Sequence, residues 1–265
     1  WVNLCIQRVR FFLVEIPTSP DRFSGSVAPP TRWQVPLIGD VSPDCTPEWL
    51  MGYLMPHLER YQPVPRTPTG LQAYEQSGWF RLDRGSVTIF WHIPQANMIH
   101  RATHGHADAC AFVLFWNGNP ILIDPGRPTY RTDDSRYVYS GSARAHNALT
   151  VDGFDPFLQD RAQKFPPWYQ QRNVRVHWEE SGAHLVFSIA HTGFHRMRGD
   201  RIDHERRFRV SNAAFEVEDR LRGRRVHRIA TYFHWAPGRE SVGSAAFRVQ
   251  AQHAEVVRYR DHVFP

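Results

Sequence analysis

Three short segments carry residue types that could do chemistry, and each lies at the boundary of a predicted strand. In THGHADACAF, His104, His106 and Asp108 precede an apolar run. In ILIDPG, a hydrophobic strand ends on Asp124 before a Pro-Gly turn. In SARAHNALTVDG, His146 stands at the start of another strand. Imidazole and carboxylate groups in such positions suit acid–base chemistry or the binding of a divalent metal, for which zinc is the first candidate.

These residues support two interpretations on motif grounds. Strand geometry on either side of Asn117 and Gly118 brings Asp124 close to His106 or Asp108. On extended backbone the two histidines of an HxH motif point the same way, so both could bind one metal, or one could do acid–base work instead. In the other interpretation, Asp124 caps its own turn and the histidines form hydrogen bonds within a loop. An HxH motif with one aspartate does not separate the two.

Short antiparallel strands are the elements expected to position these side chains. From about Tyr74 onward, turn signals between alternating segments predict hairpins at residues 83–85, 117–118, 180–182 and 211–212. This spacing predicts a mainly β fold, a large antiparallel β-sandwich. Residues 1–70 are rich in proline and carry one expected short helix, so we interpret them as a linker or the remnant of an upstream helical domain. Residues 71–265 would form the sandwich domain.

The charge of the chain indicates an acidic partner. The 265 residues have a net charge of +6, and nearly all the positive charge is arginine, which suits bidentate binding of carboxylate or sulfate. The segments RRFRV and RLRGRRVHR are predicted on the outward faces of strands. No nucleic-acid-binding module accompanies the charge, so nucleic acid is not expected as a partner. No apolar run reaches the roughly 18–20 residues of a membrane span. The odd number of cysteines, none in a CxxC pair, predicts no disulfide framework.

The segment from HGHADACAF through NG, DPG followed by Tyr, and AHNALTVDG resembles the signature region of the heparinase II/III-like polysaccharide lyases. Several motifs in one order are more specific than any one alone, and weaker similarity extends from about Tyr74 to Pro237. The resemblance implies a supersandwich-like β domain that follows an N-terminal α/α-toroid. Residues 1–70 are too poor in helix to supply a toroid, so the chain is expected to begin inside a longer protein.

The resemblance also implies roles for individual residues of these motifs. His104 would act at the catalytic centre. One divalent metal, zinc by ligand type and mainly structural, would be held by His106, Asp124 and His146. An acidic sugar would be bound by Arg144, Asn147 and Tyr130.

The resulting hypothesis is a polysaccharide lyase that cleaves a uronate-containing glycan by β-elimination, with this chain as its metal-stabilised sandwich portion. The expected location is the periplasm or cell envelope of a bacterium, and a homodimer is one option for its assembly. The alternative is a non-catalytic glycan-binding sandwich or an inactive fragment. A barrel-type metal hydrolase is disfavoured, because it needs strands that alternate with helices.

Overall fold

The computed structural model describes residues 14–16, 32–34, 38, 69–93, 106–157, 174–197 and 199–237. Most of the predicted linker, the helix predicted within residues 47–61 and the candidate catalytic residue His104 lie outside this part of the chain. The predicted domain division at residue 70 stays a prediction.

The described chain is mainly β and antiparallel, as predicted. A five-stranded sheet contains β3 (Gly70–Tyr74), β4 (Trp79–Arg84), β5 (Val87–His92), β6 (Phe112–Trp116) and β7 (Asn119–Leu122) in that order. A four-stranded sheet contains β9 (Val174–Ser181), β10 (His184–His191), β11 (Asp203–Val210) and β12 (Phe215–Arg222), also paired in chain order. Two further pairs are β1 (Val14–Ile16) with β2 (Arg32–Gln34), and β8 (Leu149–Val151) with β13 (Ile229–Thr231). One α-helix, α1 (Ser135–Gly141), precedes β8.

The predicted hairpins are present because their turn residues fit the conformations that tight turns need. Asn117 and Gly118 have φ of 48° and 72°, the positive values that match a two-residue turn to the twist of its strands. Gly85 has a φ of 56°, and a Cβ there would collide with the backbone of Asn212 in another predicted turn. Two hairpin tips therefore contact each other, and only glycine fits at that contact.

The two large sheets pack face to face around one aromatic-rich core. Phe80 and Trp91 of the first sheet contact Phe187 of the second, with ring centroids 5.3 Å and 4.4 Å apart. Phe208 also lies 5.2 Å from Trp91. Burial of each such ring stabilises the fold by about 1.5–3 kcal/mol, so this layer of side chains holds the sandwich together.

The outward face of the four-stranded sheet carries part of the arginine-rich segments predicted there. Arg207, Arg209, Arg220 and Arg222 lie on it, whereas Arg206 is fully buried and residues 223–228 follow the end of β12. On this face, each charged residue of β11 lies opposite a residue of opposite charge on β12. The pairs are Asp203 with Arg222, Glu205 with Arg220, Arg207 with Glu218, and Arg209 with Glu216. Opposite charges in this position stabilise strand pairing, and they keep the edge strand β12 polar.

Candidate functional site

The segment before β6 holds its side chains through two backbone hydrogen bonds. The N–H of Ala107 donates to the carbonyl of Gly141 at the end of α1, 2.9 Å away. The N–H of Ala111 donates to the carbonyl of Asp108 at 2.8 Å, and this closes a turn in which Cys110 has a φ of 67°. A buried non-glycine residue at positive φ is strained, so the surrounding structure must enforce this turn. The turn fixes the approach of His106 and Asp108 to the strand.

A buried chain of hydrogen bonds joins Arg127, His106, His146 and Asp124. Nη2 of Arg127 lies 2.7 Å from Nε2 of His106, whose Nδ1 lies 3.1 Å from Nε2 of His146. Nδ1 of His146 lies 2.5 Å from Oδ2 of Asp124. Because arginine can only donate, neutral His106 accepts at Nε2 and donates from Nδ1, and His146 donates to Asp124. This group, called below the histidine chain, unites all three residues predicted as metal ligands.

The two carboxylate oxygens of Asp124 bind different hydrogen-bond partners. Oδ1 accepts a hydrogen bond of 3.0 Å from the N–H of Gly126, which has a φ of 65°. Oδ2 is bound to His146. Asp124 therefore caps its own turn and also lies in a hydrogen-bonded group with both histidines. Four small buried residues pack together in the segments that carry His106 and His146: Ala107, Ala111, Ala143 and Ala148.

The site contains buried acidic groups, which favour positive charge close to them. Asp108 and Asp124 line the same small cavity and are both buried. Burial raises the pKa of Asp108, but the imidazole of His92, whose Nδ1 lies 3.8 Å from Oδ2 of Asp108, and the nearby His146 and His106 outweigh it and bring this pKa to about 2. Burial lowers the pKa of His146, yet the Asp124 carboxylate outweighs it, so this pKa lies above its usual value. The buried carboxylates therefore favour positive charge here, but a second proton on His146 would have to displace the hydrogen bond that its Nε2 accepts from His106.

The donor set fits a metal in part. A histidine ligand commonly donates its second ring N–H to a carboxylate, as His146 does to Asp124, so Asp124 would support the site through His146. His106 would have to carry its proton on Nε2 when its Nδ1 binds a metal. That proton would face the guanidinium of Arg127, so metal binding would require Arg127 to give up its hydrogen bond.

A second cluster that could hold a metal ion was not predicted from the sequence. The potential ligand atoms of Cys110, His191 and His204 lie within 4.8 Å of one another, and all three residues are buried. The signal that could have found it is strand pairing, since His191 and His204 lie opposite each other in β10 and β11. Burial raises the pKa of the Cys110 thiol, which disfavours the thiolate form that binds metals.

Hydrogen bonds already use every ring nitrogen of this second cluster. The N–H of Gly193 donates to Nδ1 of His191 at 3.1 Å, so His191 donates from Nε2 to Nδ1 of His204 at 2.9 Å. Nε2 of His204 then donates to Asp219 at 2.8 Å, and Arg206 binds the same carboxylate. A metal on His191 would break the bond from Gly193, so the arrangement suits a neutral hydrogen-bonded pair.

Two of the predicted sugar-binding residues are accessible. Arg144 is exposed, and its carbonyl accepts hydrogen bonds from Nε2 of His234 at 2.9 Å and from the hydroxyl of Tyr139 at 3.3 Å. Tyr130 is 57% exposed, and its ring lies 5.4 Å from the guanidinium carbon of Arg127. A fixed backbone under an exposed guanidinium and an exposed ring beside the histidine chain are suited to contact with a sugar acid.

Asn147 is placed differently from the other two. It is fully buried, and its Nδ2 donates to the carbonyls of Phe112 and Ile123 at 2.7 Å and 3.0 Å. Its Oδ1 accepts from the N–H of His234 at 2.7 Å. The side chain therefore braces three segments around the site, and direct contact with a glycan would require it to leave these partners.

Comparison with known proteins identifies the family to which this chain belongs. The family model described as "Heparinase II/III-like, C-terminal" matches residues 66–262, and the chain belongs to that family. No curated protein matches the chain.

Solved structures agree on the fold. Heparan sulfate lyase HepC from Pedobacter heparinus matches with a TM-score of 0.56 and 16% identity, over 77% of this chain and 32% of that one. The heparinase III-BT4657 gene product matches with a TM-score of 0.58 and 13% identity, over 78% of this chain and 32% of that one. The chain thus spans about a third of each neighbour's length. Among the described residues, none forms a helix long and apolar enough to cross a bilayer.

Proposed function

We propose that the protein to which this chain belongs is a polysaccharide lyase that cleaves an acidic, uronate-containing glycan by β-elimination. The observation that carries the proposal is the histidine chain, because it fixes the backbone two residues from His104. Family membership supports the proposal, and the names of the structural neighbours, a heparan sulfate lyase and a heparinase III product, agree with it.

The chemistry explains the residue types. A base takes the C5 proton of the uronate, a C4–C5 double bond forms, the C4–O4 bond breaks, and an acid gives a proton to O4. The neighbouring carboxylate resists added negative charge, so the enzyme must first neutralise it with cations or hydrogen-bond donors. We assign His104 as the base or the carboxylate neutraliser, Arg144 as a carboxylate partner, and Tyr130 as a surface for the sugar ring.

His106 and Asn147 act through position in this proposal. A reacting group must be held in place before the reaction, since misplacement by about 1 Å costs much of the rate. The hydrogen bonds of His106 to Arg127 and His146, and those of Asn147 to strand ends, hold the backbone at His106 and Asn147, which are two and three residues from His104 and Arg144. His106 and Asn147 would be positioning residues.

The activity test uses the longer parent protein, because the chain spans only part of its structural neighbours. We expect ultraviolet absorbance from the unsaturated uronate product on at least one uronate polymer. His104→Ala should lower kcat by about 100-fold or more, while the exposed control His177→Ala on β9 should leave it unchanged. A folded parent that binds uronate polymers and cleaves none would support the non-catalytic alternative and reject the lyase.

We further propose that one divalent ion, zinc by ligand type, binds at His106 and His146 with support from Asp124, where it would replace the hydrogen bonds of His106 to His146 and Arg127 and hold the same side chains. It would supply positive charge to the buried carboxylates and stabilise the domain. Elemental analysis of the purified chain should find one equivalent, which His146→Ala loses and His191→Ala keeps. Loss in His191→Ala alone would move the metal to the second cluster, and no stoichiometric metal in the wild type would reject the ion.

The partner in this proposal is an acidic polysaccharide, and the expected location is the periplasm or cell envelope. Both follow from the proposed reaction, because a polymer of this kind is met outside the cytoplasm. Cell fractionation of the source organism with an antibody to this chain would test the location. Recovery with cytoplasmic markers would contradict it.

A further inference from the structure

A second cavity of about 680 Å³ lies where β11 begins and β12 ends, and none of the predicted sugar-binding or metal residues lines it. Three arginines line it, Arg201, Arg222 and Arg224, together with Asp200 and Asp203. Two of the arginines come from the basic segment RLRGRRVHR, which the proposed catalytic site does not use. Its size lies within the range of ligand sites, roughly 300–1,000 Å³.

The two carboxylates of this arginine cavity are already engaged. Oδ1 of Asp203 lies 2.6 Å from Nε2 of His195. Asp200 accepts hydrogen bonds from the backbone N–H groups of Arg201, Arg224 and Arg225 at 2.6–2.8 Å. Within the described part of the chain, the guanidinium groups of Arg201, Arg222 and Arg224 form no ion pair. Because the cavity has three arginines and only two aspartates, and both aspartates accept hydrogen bonds from other groups, it keeps net positive charge.

The loops that carry these arginines are closely fitted. Gly199 has a φ of 87°, and a Cβ there would lie 2.6 Å from Nη1 of Arg225. A Cβ on Gly223 would lie 2.8 Å from Oδ2 of Asp200. Since backbone hydrogen bonds to one buried aspartate join the two loops, the arginines extend from a fixed base, which lowers the entropic cost of binding an anion.

The cavity is linked to the candidate sugar site through one imidazole. His227 lies 3.1 Å from Oδ2 of Asp200 through Nε2, and 2.7 Å from Oδ2 of Asp152 through Nδ1. The next residue, Gly153, faces Arg144, whose Nη2 is 3.6 Å from the position of a Cβ on that glycine. Arg144 is thus linked to the arginine cavity through Asp152, His227 and Asp200.

We propose that the arginine cavity is an accessory site for the sulfate or carboxylate groups of an acidic polysaccharide that also passes Arg144. The choice of a glycan rests on the proposed function. Guanidinium groups bind both kinds of oxyanion through paired hydrogen bonds. None of the described residues that line the cavity is Phe, Tyr or Trp, so these residues offer no stacking surface of the kind that single-stranded nucleic acids use.

Calorimetric titration of the 265-residue chain tests the proposal with three probes: a sulfated uronate hexasaccharide, its desulfated counterpart and an oligothymidylate of matched charge. We expect Arg222→Ser with Arg224→Ser to weaken binding of the sulfated probe by about tenfold. The control Arg209→Ser with Arg220→Ser removes the same charge from the outward face of the same sheet and should change affinity by less than about twofold. All four side chains are exposed, so thermal melting should show intact folding in both variants.

Two results would overturn the proposal: equal loss of affinity in both double variants, or equally tight binding of the oligothymidylate. The lyase assay on the parent protein separates this proposal from the catalytic one. If the parent protein cleaves glycan but the variant with both Arg222→Ser and Arg224→Ser keeps its affinity for the sulfated probe, only the proposed accessory site is rejected. If the parent protein cleaves no glycan but that variant loses affinity for the probe, the proposed lyase activity is rejected and the accessory site is supported.

Discussion

Substitution of Asn147 by alanine separates a bracing role from a sugar-binding role. The change would leave the carbonyls of Phe112 and Ile123 and the N–H of His234 without their partner in a buried region. Each buried group without a partner costs about 1–3 kcal/mol, and water entering the vacated space would recover part of this. We therefore expect the free energy of unfolding to fall by about 3–5 kcal/mol, which corresponds to a drop in Tm of roughly 6–20 °C.

Urea unfolding followed by fluorescence measures this change, with Asn212→Ala as the control. Asn212 is an exposed turn residue, so its substitution should alter stability by less than about 0.5 kcal/mol. Asn147→Asp should cost more than Asn147→Ala at neutral pH, because its carboxylate would face two carbonyl oxygens. If Asn147→Ala unfolds within about 1 kcal/mol of the wild type and yet loses glycan binding, Asn147 contacts the sugar and the bracing argument is refuted.

Two further predictions concern the buried and half-buried ion pairs. Arg206→Met should lower the free energy of unfolding by about 3–5 kcal/mol in urea titration, because Asp219 would keep its charge without the guanidinium. The neighbouring substitution Arg207→Met is the control, and an equally small loss of stability in both variants would contradict the prediction. The hydrogen bonds of His227 to two aspartates raise its pKa above 6.5, so it stabilises the fold most below that value, and the benefit is lost as pH rises through the folded-state pKa. Comparison of wild type with His227→Gln at about pH 5.5 and about pH 8.5 should show the larger stability difference at the lower pH, and a difference that grows with pH would reverse the assignment. Asp200, whose pKa is about 2, stays ionised across this window.

The hairpins and the fold class could be predicted because their signals are local. The Asn117 and Gly118 turn, the alternation in β11 and β12, and the short strand before Asp152 each rest on neighbouring residues. The register of β6 with β7 was harder, since a bulge between Leu114 and Phe115 shifts the pairing there. Helix α1 was missed because its sequence SRYVYSG has β-branched and aromatic residues and no apolar stripe.

Contacts between distant segments explain what the sequence could not supply. The prediction that Asp124 lies near Asp108 is confirmed by the cavity that both residues line. The hydrogen bond between Asp124 and His146, however, joins residues that are separated in sequence by a helix and two turns. Similarly, Arg206 reaches the carbonyls of Cys110 and Asn147 across the sandwich. No periodicity encodes these long-range bonds. The roles of His104 and of the metal ligands stay predictions.

The alternating charges on β11 and β12 also bear on how the chain avoids misfolding. A two-residue slip keeps the same side chains outward, so burial alone does not forbid it. In one direction such a slip sets Glu205 opposite Glu218, and in the other it sets Arg207 opposite Arg220, whereas the native pairing has no such conflict. Repulsion between like charges at these positions would penalise both misaligned hairpins before the core forms. The charges on the outward face therefore also favour the correct alignment of the two strands.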